Sequence, residues 1–223
     1  MKTFQGRQVG FTLVELLIAV LIVGLLSTFI ANFFIQSTQT INQQGYVSTQ
    51  TAVVQRAVGL IGDDVRRAEK IIPPGTALSL GVAVASNLNA PATTGPDRID
   101  IYIVKPVGSP CTLATDDYEV RSYFTVTRAA AVSSTNTWVQ LPDDPLNSAQ
   151  KVLIQYKGCA ANQSTSPSNG VLRLVSDYVN TFTLGYPSAT GASIDMQAAR
   201  TLQGQLLRSP LAPAHATYYS RRF

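Results

Sequence analysis

The chain has 223 residues, 45 % of them hydrophobic and only 13 % charged, with a net charge of +4, two cysteines and a single histidine. That length holds one N-terminal segment and one domain of ordinary size, and the low charge suits an exported, assembled protein better than a cytosolic enzyme. With no cysteine pair at metal spacing and no GxxxxGK[ST] phosphate loop, hydrolytic triads, zinc sites and nucleotide-driven motors lack their groups, so the expectation is a non-enzymatic chain with no cofactor and no metal.

A short basic leader comes first and ends at Gly10. Phe11 follows, then one acid, Glu15, and then apolar sequence to Phe34 and Ile35. About 20 apolar residues span a bilayer core, so residues 11–35 read as a transmembrane segment. An ordinary secretory signal carries its apolar stretch before the cleavage site; here it lies after the candidate junction. A plain anchor fits the length but leaves Glu15 unexplained, because an unpaired carboxylate inside a membrane is costly.

The run Gly10-Phe11-Thr12-Leu13-Val14-Glu15-Leu16 resembles the class III signal of type IV prepilins and type II secretion pseudopilins. The close resemblance covers residues 6–35. It implies a membrane prepilin peptidase that cuts after Gly10 and methylates the new Phe11 amine. It implies further that this amine meets the Glu15 carboxylate of a neighbouring subunit, with other minor and major pilins or pseudopilins as partners. Lys2 and Arg7 precede the apolar run, which keeps the leader cytoplasmic and places the rest outside the inner membrane. Loss of those two residues lowers the net charge from +4 to +2.

After Glu15 the next charge is Arg56. Val54, Val58, Ile61, Val65, Ala68 and Ile72 recur at four- and three-residue intervals, the stripe of an amphipathic helix. Asp63, Arg66, Arg67 and Lys70 lie off it, and Pro73-Pro74 ends the run. The reading is one helix from about residue 12 to residue 72, with residues 36–72 as its amphipathic continuation. Gly24, Gly45, Gly59 and Gly62 mark points where it can bend, each costing up to about 1 kcal/mol relative to alanine.

Residues 73–223 read as a β-rich globular domain. A loop region over 75–97, with a short strand at Leu78–Ala85, leads to strands at Ile99–Lys105, Tyr118–Thr127, Thr137–Leu141, Val152–Lys157, Val171–Val175 and Val179–Tyr186. Their β-branched and aromatic content and short turns favour an antiparallel sheet. Residues 160–170 form a polar loop, and 194–208 suit either a short helix or a strand, the preceding meander favouring strand. The fold class is therefore α+β: a long N-terminal helix packed on an antiparallel sheet, pilin-like in layout. The stretch Asp64-Val65-Arg66-Arg67-Ala68, with Ile154-Gln155-Tyr156 and Gly170-Val171-Leu172-Arg173, resembles W-type minor pilins and J-type pseudopilins. The Arg221-Arg222-Phe223 ending departs from the Arg-Asn close usual there.

Cys111 and Cys159 both fall in loop-like sequence. Outside the cytosol they are a disulfide candidate, against the alternative of two free thiols. The pairs Asp116-Asp117 and Asp143-Asp144 can supply oxygen ligands to calcium, but Asp143-Asp144-Pro145 is more simply a turn. His215, alone among Ala and Pro, reads as a surface residue rather than a base. Arg200, Arg208, Arg221 and Arg222, with Tyr218, Tyr219 and Phe223, suit either nucleic acid by phosphate contact and stacking or a subunit interface. The spread of the four arginines favours the interface. The functional expectation is a minor pilin or pseudopilin that primes or caps a filament; the alternative is a tip module for DNA uptake or adhesion.

Overall fold

The computed structural model describes residues 12–80, 88, 90–105, 109, 111, 115–135, 139–202 and 204–221. The leader, the Gly10-Phe11 junction and Arg222 lie outside them. Helix α1 runs Leu13–Arg66, and the chain divides into one unit up to Gly45 and a second from Tyr46 onward.

In the second unit the helical stripe is buried as its spacing requires. Val54, Ala57, Val58, Ile61 and Val65 pack against one face of a sheet. Helix geometry stops six residues before the expected end, at Arg66. The cause is a competing ladder: Glu69 N–H and Ile72 N–H donate to Tyr102 and Asp100 carbonyls, so Lys70–Ile71 becomes strand β1. Ala68 and Ile72 remain buried, but on different sides of the sheet.

The remaining strands are β2 (Arg98–Val104), β3 (Tyr118–Thr127), β4 (Lys151–Ala160), β5 (Ser168–Ser188), β6 (Gly191–Leu202) and β7 (Gln205–Tyr219). All seven pair with their sequence neighbours in antiparallel register, in the order β1 to β7. A short helix α2, Arg128–Val132, follows β3, and a 3-10 turn, Pro145–Asn147, precedes β4.

Alternation along the central strands serves two cores rather than a core and solvent. Ile99, Ile101, Ile103, Tyr123 and Leu153 face α1. Tyr102, Phe124, Val152, Ile154 and Tyr156 face the other way, under Ile72, Leu78, Leu80, Leu88, Ala131 and Val139. Arg98 and Asp100, which flank Ile99 on β2, are themselves buried as an ion pair, with Nε–Oδ1 3.0 Å and Nη2–Oδ2 2.9 Å. Arg98 also donates to the Pro91 and Leu78 carbonyls, which holds the covering loop on the outer face.

Several strand bounds differ from expectation. The segments at 171–175 and 179–186 are one strand, β5, whose register slips opposite β4 near Tyr178, a residue at φ 54°. Residues 194–208 are strand on both sides of a hairpin turn, with Gly204 at φ 78°. Val139–Leu141 lies in turn and coil, with Thr137 and Trp138 outside the described residues. Leu78 and Leu80 are buried in irregular chain, and 81–85 also lie outside. The outermost strand β7 swells at Pro210–Pro213, where Gln197 Nε2 donates to the Pro210 and Leu211 carbonyls. Prolines and a bulge of this kind discourage pairing with another chain.

α1 stays helical through all four glycines. At Gly62 the reason is close approach: a Cβ there would enter the Tyr218 ring, over which Arg66 also stacks at 4.7 Å. Nothing stands near Gly59. Gly59→Ala is therefore expected to stabilise the chain by ~0.5–1 kcal/mol, and Gly62→Ala to destabilise it. Urea melts of the full chain in detergent check the pair; equal gains at both positions would contradict the packing of Tyr218.

Candidate processing and assembly site

Thr12 and Glu15 open α1 as a capping box. Glu15 N–H donates to Thr12 Oγ1 at 3.3 Å, while Glu15 Oε2 accepts both Thr12 N–H and Thr12 Oγ1–H at 2.9 Å. A Ser/Thr at the cap with Glu three residues on satisfies two otherwise unpaired donors at a helix start. The Thr-x-x-Glu spacing that signals this box is plain in the sequence. The peptide nitrogen that Glu15 holds is the one joined to Phe11, so the acid fixes the geometry directly after the candidate junction.

Beyond Glu15 the helix is long and apolar enough to cross a membrane, and its side chains there are exposed. The hydroxyls it carries do not disturb this. Ser27 and Thr28 donate to the Val23 and Gly24 carbonyls at 2.8 and 3.0 Å. Bonding back to the preceding turn leaves them without need of water.

Cys111 and Cys159 are joined by a disulfide across 48 residues of chain. Asp116 converges on the same two sulfurs, but each sulfur is spent on the other. Asp144 accepts from Asn147 Nδ2 and Tyr178 Oη at 3.0 Å each and from Arg200 Nη2 at 3.2 Å. Burial raises its carboxyl, yet these partners hold it below the usual range. All three donors meet on Oδ2, at the residue that precedes the 3-10 turn Pro145–Asn147.

Among the described tail arginines, Arg200 and Arg208 do not share a face. Arg200 is bound to Asp144 and lies 4.5 Å from the centre of the Tyr178 ring, whose other cation is Arg128 at 4.9 Å. Arg208 pairs in register with Ala199, next to Arg200, so the two arginines project from opposite faces. The Arg221 backbone N–H donates to the Arg66 carbonyl. His215 is exposed, with Nδ1 2.7 Å from Asp195 Oδ1 across the β6–β7 ladder.

A buried polar network was missed. Asp64, on α1, accepts from Arg121 Nη1 and, at 2.5 Å, from Tyr123 Oη. Arg121 Nε also binds Glu119 at 2.6 Å, and Gln155 Nε2 donates to Tyr123 Oη. Burial pushes the Asp64 carboxyl up while Tyr123 and Arg121 pull it down. One signal was available: Asp64 stands three residues after Ile61 and four before Ala68, which is the apolar face.

Residues 7–31 match the family model of the prokaryotic N-terminal methylation motif. The chain thus carries the motif typical of type IV pilin and pseudopilin precursors, at the head of a long apolar helix followed by an antiparallel seven-stranded sheet. The motif implies a prepilin peptidase and other pilins as partners. No curated protein and no solved structure matches the chain.

Proposed function

We propose that this chain is a minor pilin or pseudopilin. It is cut after Gly10 and methylated at Phe11 by a prepilin peptidase, and it primes or caps a type IV pilus or type II secretion pseudopilus. The observation that carries this reading is a methylation motif whose one acid, Glu15, heads an exposed apolar helix. Before assembly the helix sits in the inner membrane, with the leader in the cytoplasm and the sheet domain outside. In the filament the methylated amine of one subunit pairs with Glu15 of another, so only a neighbour at the right axial height satisfies the charge. The minor role is supported by the W- and J-like stretch Asp64–Ala68. The reading gives the chain no catalytic role, and it takes the tail arginines as interface rather than DNA contacts, since Arg200 is already engaged by Asp144.

Co-expression with a prepilin peptidase is expected to yield a product starting at N-methyl-Phe11 by intact mass. A retained leader, or cleavage inside the apolar helix, overturns the processing. Quantifying the chain in sheared filaments is expected to place it far below the principal subunit; equal amounts overturn the minor role.

A further inference from the structure

Glu119 is 2 % exposed, and its two oxygens belong to opposite ends of one chain of contacts. Oε1 accepts from Arg121 Nε at 2.6 Å, and Arg121 continues to Asp64 on α1. Oε2 accepts from Ser109 Oγ at 3.2 Å. The Ser109 hydroxyl oxygen in turn accepts the Cys111 N–H at 3.3 Å. Cys111 is bonded to Cys159, which stands opposite Glu119 in the β3–β4 register. The path from disulfide to helix is therefore continuous: Cys111, Ser109, Glu119, Arg121, Asp64.

Two buried carboxylates share one guanidinium here. Such an arrangement holds only when further donors take up the remaining lone pairs. Tyr123 supplies one to Asp64, and Ser109 supplies one to Glu119. Ser109 stands in the β2–β3 loop, closed at its base by Lys105 N–H to the Asp117 carbonyl. The disulfide is the covalent tether that holds Cys111, and with it the Ser109 hydroxyl two residues away, near Glu119. Without it, Ser109 is free to leave, and Glu119 competes harder with Asp64 for Arg121.

We propose that the Cys111–Cys159 bond acts as a redox latch on the helix, tightening the docking of α1 on the sheet through Ser109, Glu119, Arg121 and Asp64. Formation is thiol–disulfide exchange. The two cysteine thiols give up two protons and two electrons, the Sγ–Sγ bond forms, and a disulfide oxidant is reduced to its dithiol. Resting on the function proposed above, the helix is fully docked only after the domain reaches an oxidising compartment. The coupling itself is independent of that reading: processing is measured at Gly10 and the latch in the sheet domain, so either can fail alone.

The test is hydrogen exchange on the full chain in detergent micelles, comparing α1 residues 57–66 with β6. In the Cys111→Ser/Cys159→Ser variant, α1 amides are expected to exchange about tenfold faster relative to β6. Ser109→Ala, with its disulfide intact, is expected to show a similar change, and the triple variant no more than the double. An unchanged α1 overturns the latch. So does equal acceleration of α1 and β6, which is a plain loss of stability, and so does additivity of the serine and cysteine effects. If the cysteine-free chain does not fold, Ser109→Ala decides: α1 exchange at the wild-type rate overturns the proposal.

Discussion

Glu15→Val is expected to insert into the membrane like the wild type and to be lost from the filament. Valine removes the only charge between the junction and Arg56, so insertion becomes easier. It also removes two functions of one carboxylate. Within the chain, the capping bonds to Thr12 disappear and the first turn frays. Between chains, the methylated Phe11 amine of a neighbour has nothing to set its height against. The two contributions separate with Glu15→Gln, which keeps an acceptor for Thr12 but no charge. If pairing of charges governs assembly, Gln fails as Val does. If capping governs it, Gln assembles. The measurement is the amount of variant recovered in sheared filaments against the amount in the membrane fraction. Wild-type recovery of Glu15→Val would end the charge-pair mechanism for this subunit.

Arg121→Met carries the largest expected loss of stability. The methionine fills much of the same space, but Asp64 and Glu119 are left buried without a cation. Removing one partner of a buried ion pair costs roughly 3–5 kcal/mol, a large share of the ~5–15 kcal/mol that holds a domain folded. Denaturant melts of the full chain in detergent read it directly, and a loss under ~1 kcal/mol contradicts the network. Asp64→Asn in the same background is expected to recover part of the loss, since one of the two stranded charges goes. The network also sets a pH signature. Burial raises the Asp64 carboxyl, so the folded chain holds that proton more tightly than the unfolded chain. Relative to Asp64→Asn, the wild type is expected to lose stability as pH rises from the ordinary carboxylate range to the raised one, with a constant difference above it.

Much of this was legible in the residues because it depends on local spacing. The Gly-Phe junction, the acid at fixed offset and the apolar run are linear features that need no partner to be recognised. Val54, Val58, Ile61 and Val65 repeat at helix period and are buried on α1, and the β-branched and aromatic run Tyr118–Thr127 has the bounds of β3. The tertiary structure decided everything that depends on which chain lies opposite. Lys70 and Ile71 keep a helical pattern, yet they are strand, because β2 offers their neighbours carbonyls the helix would otherwise supply. Asp100 and Tyr102 alternate with the β2 isoleucines and yet are buried, because the chain after Pro74 returns to cover that face. Arg200 and Arg208 are neighbours in the β6–β7 ladder, yet their side chains leave opposite faces, because strand alternation separates them. Asp64 stands on the apolar face of its helix, which marks it as buried, but nothing local marks its partner: that is Arg121, 57 residues away. Spacing along a chain specifies elements and faces, whereas the pairing of a buried charge is a property of two distant segments brought together, and no single segment encodes it.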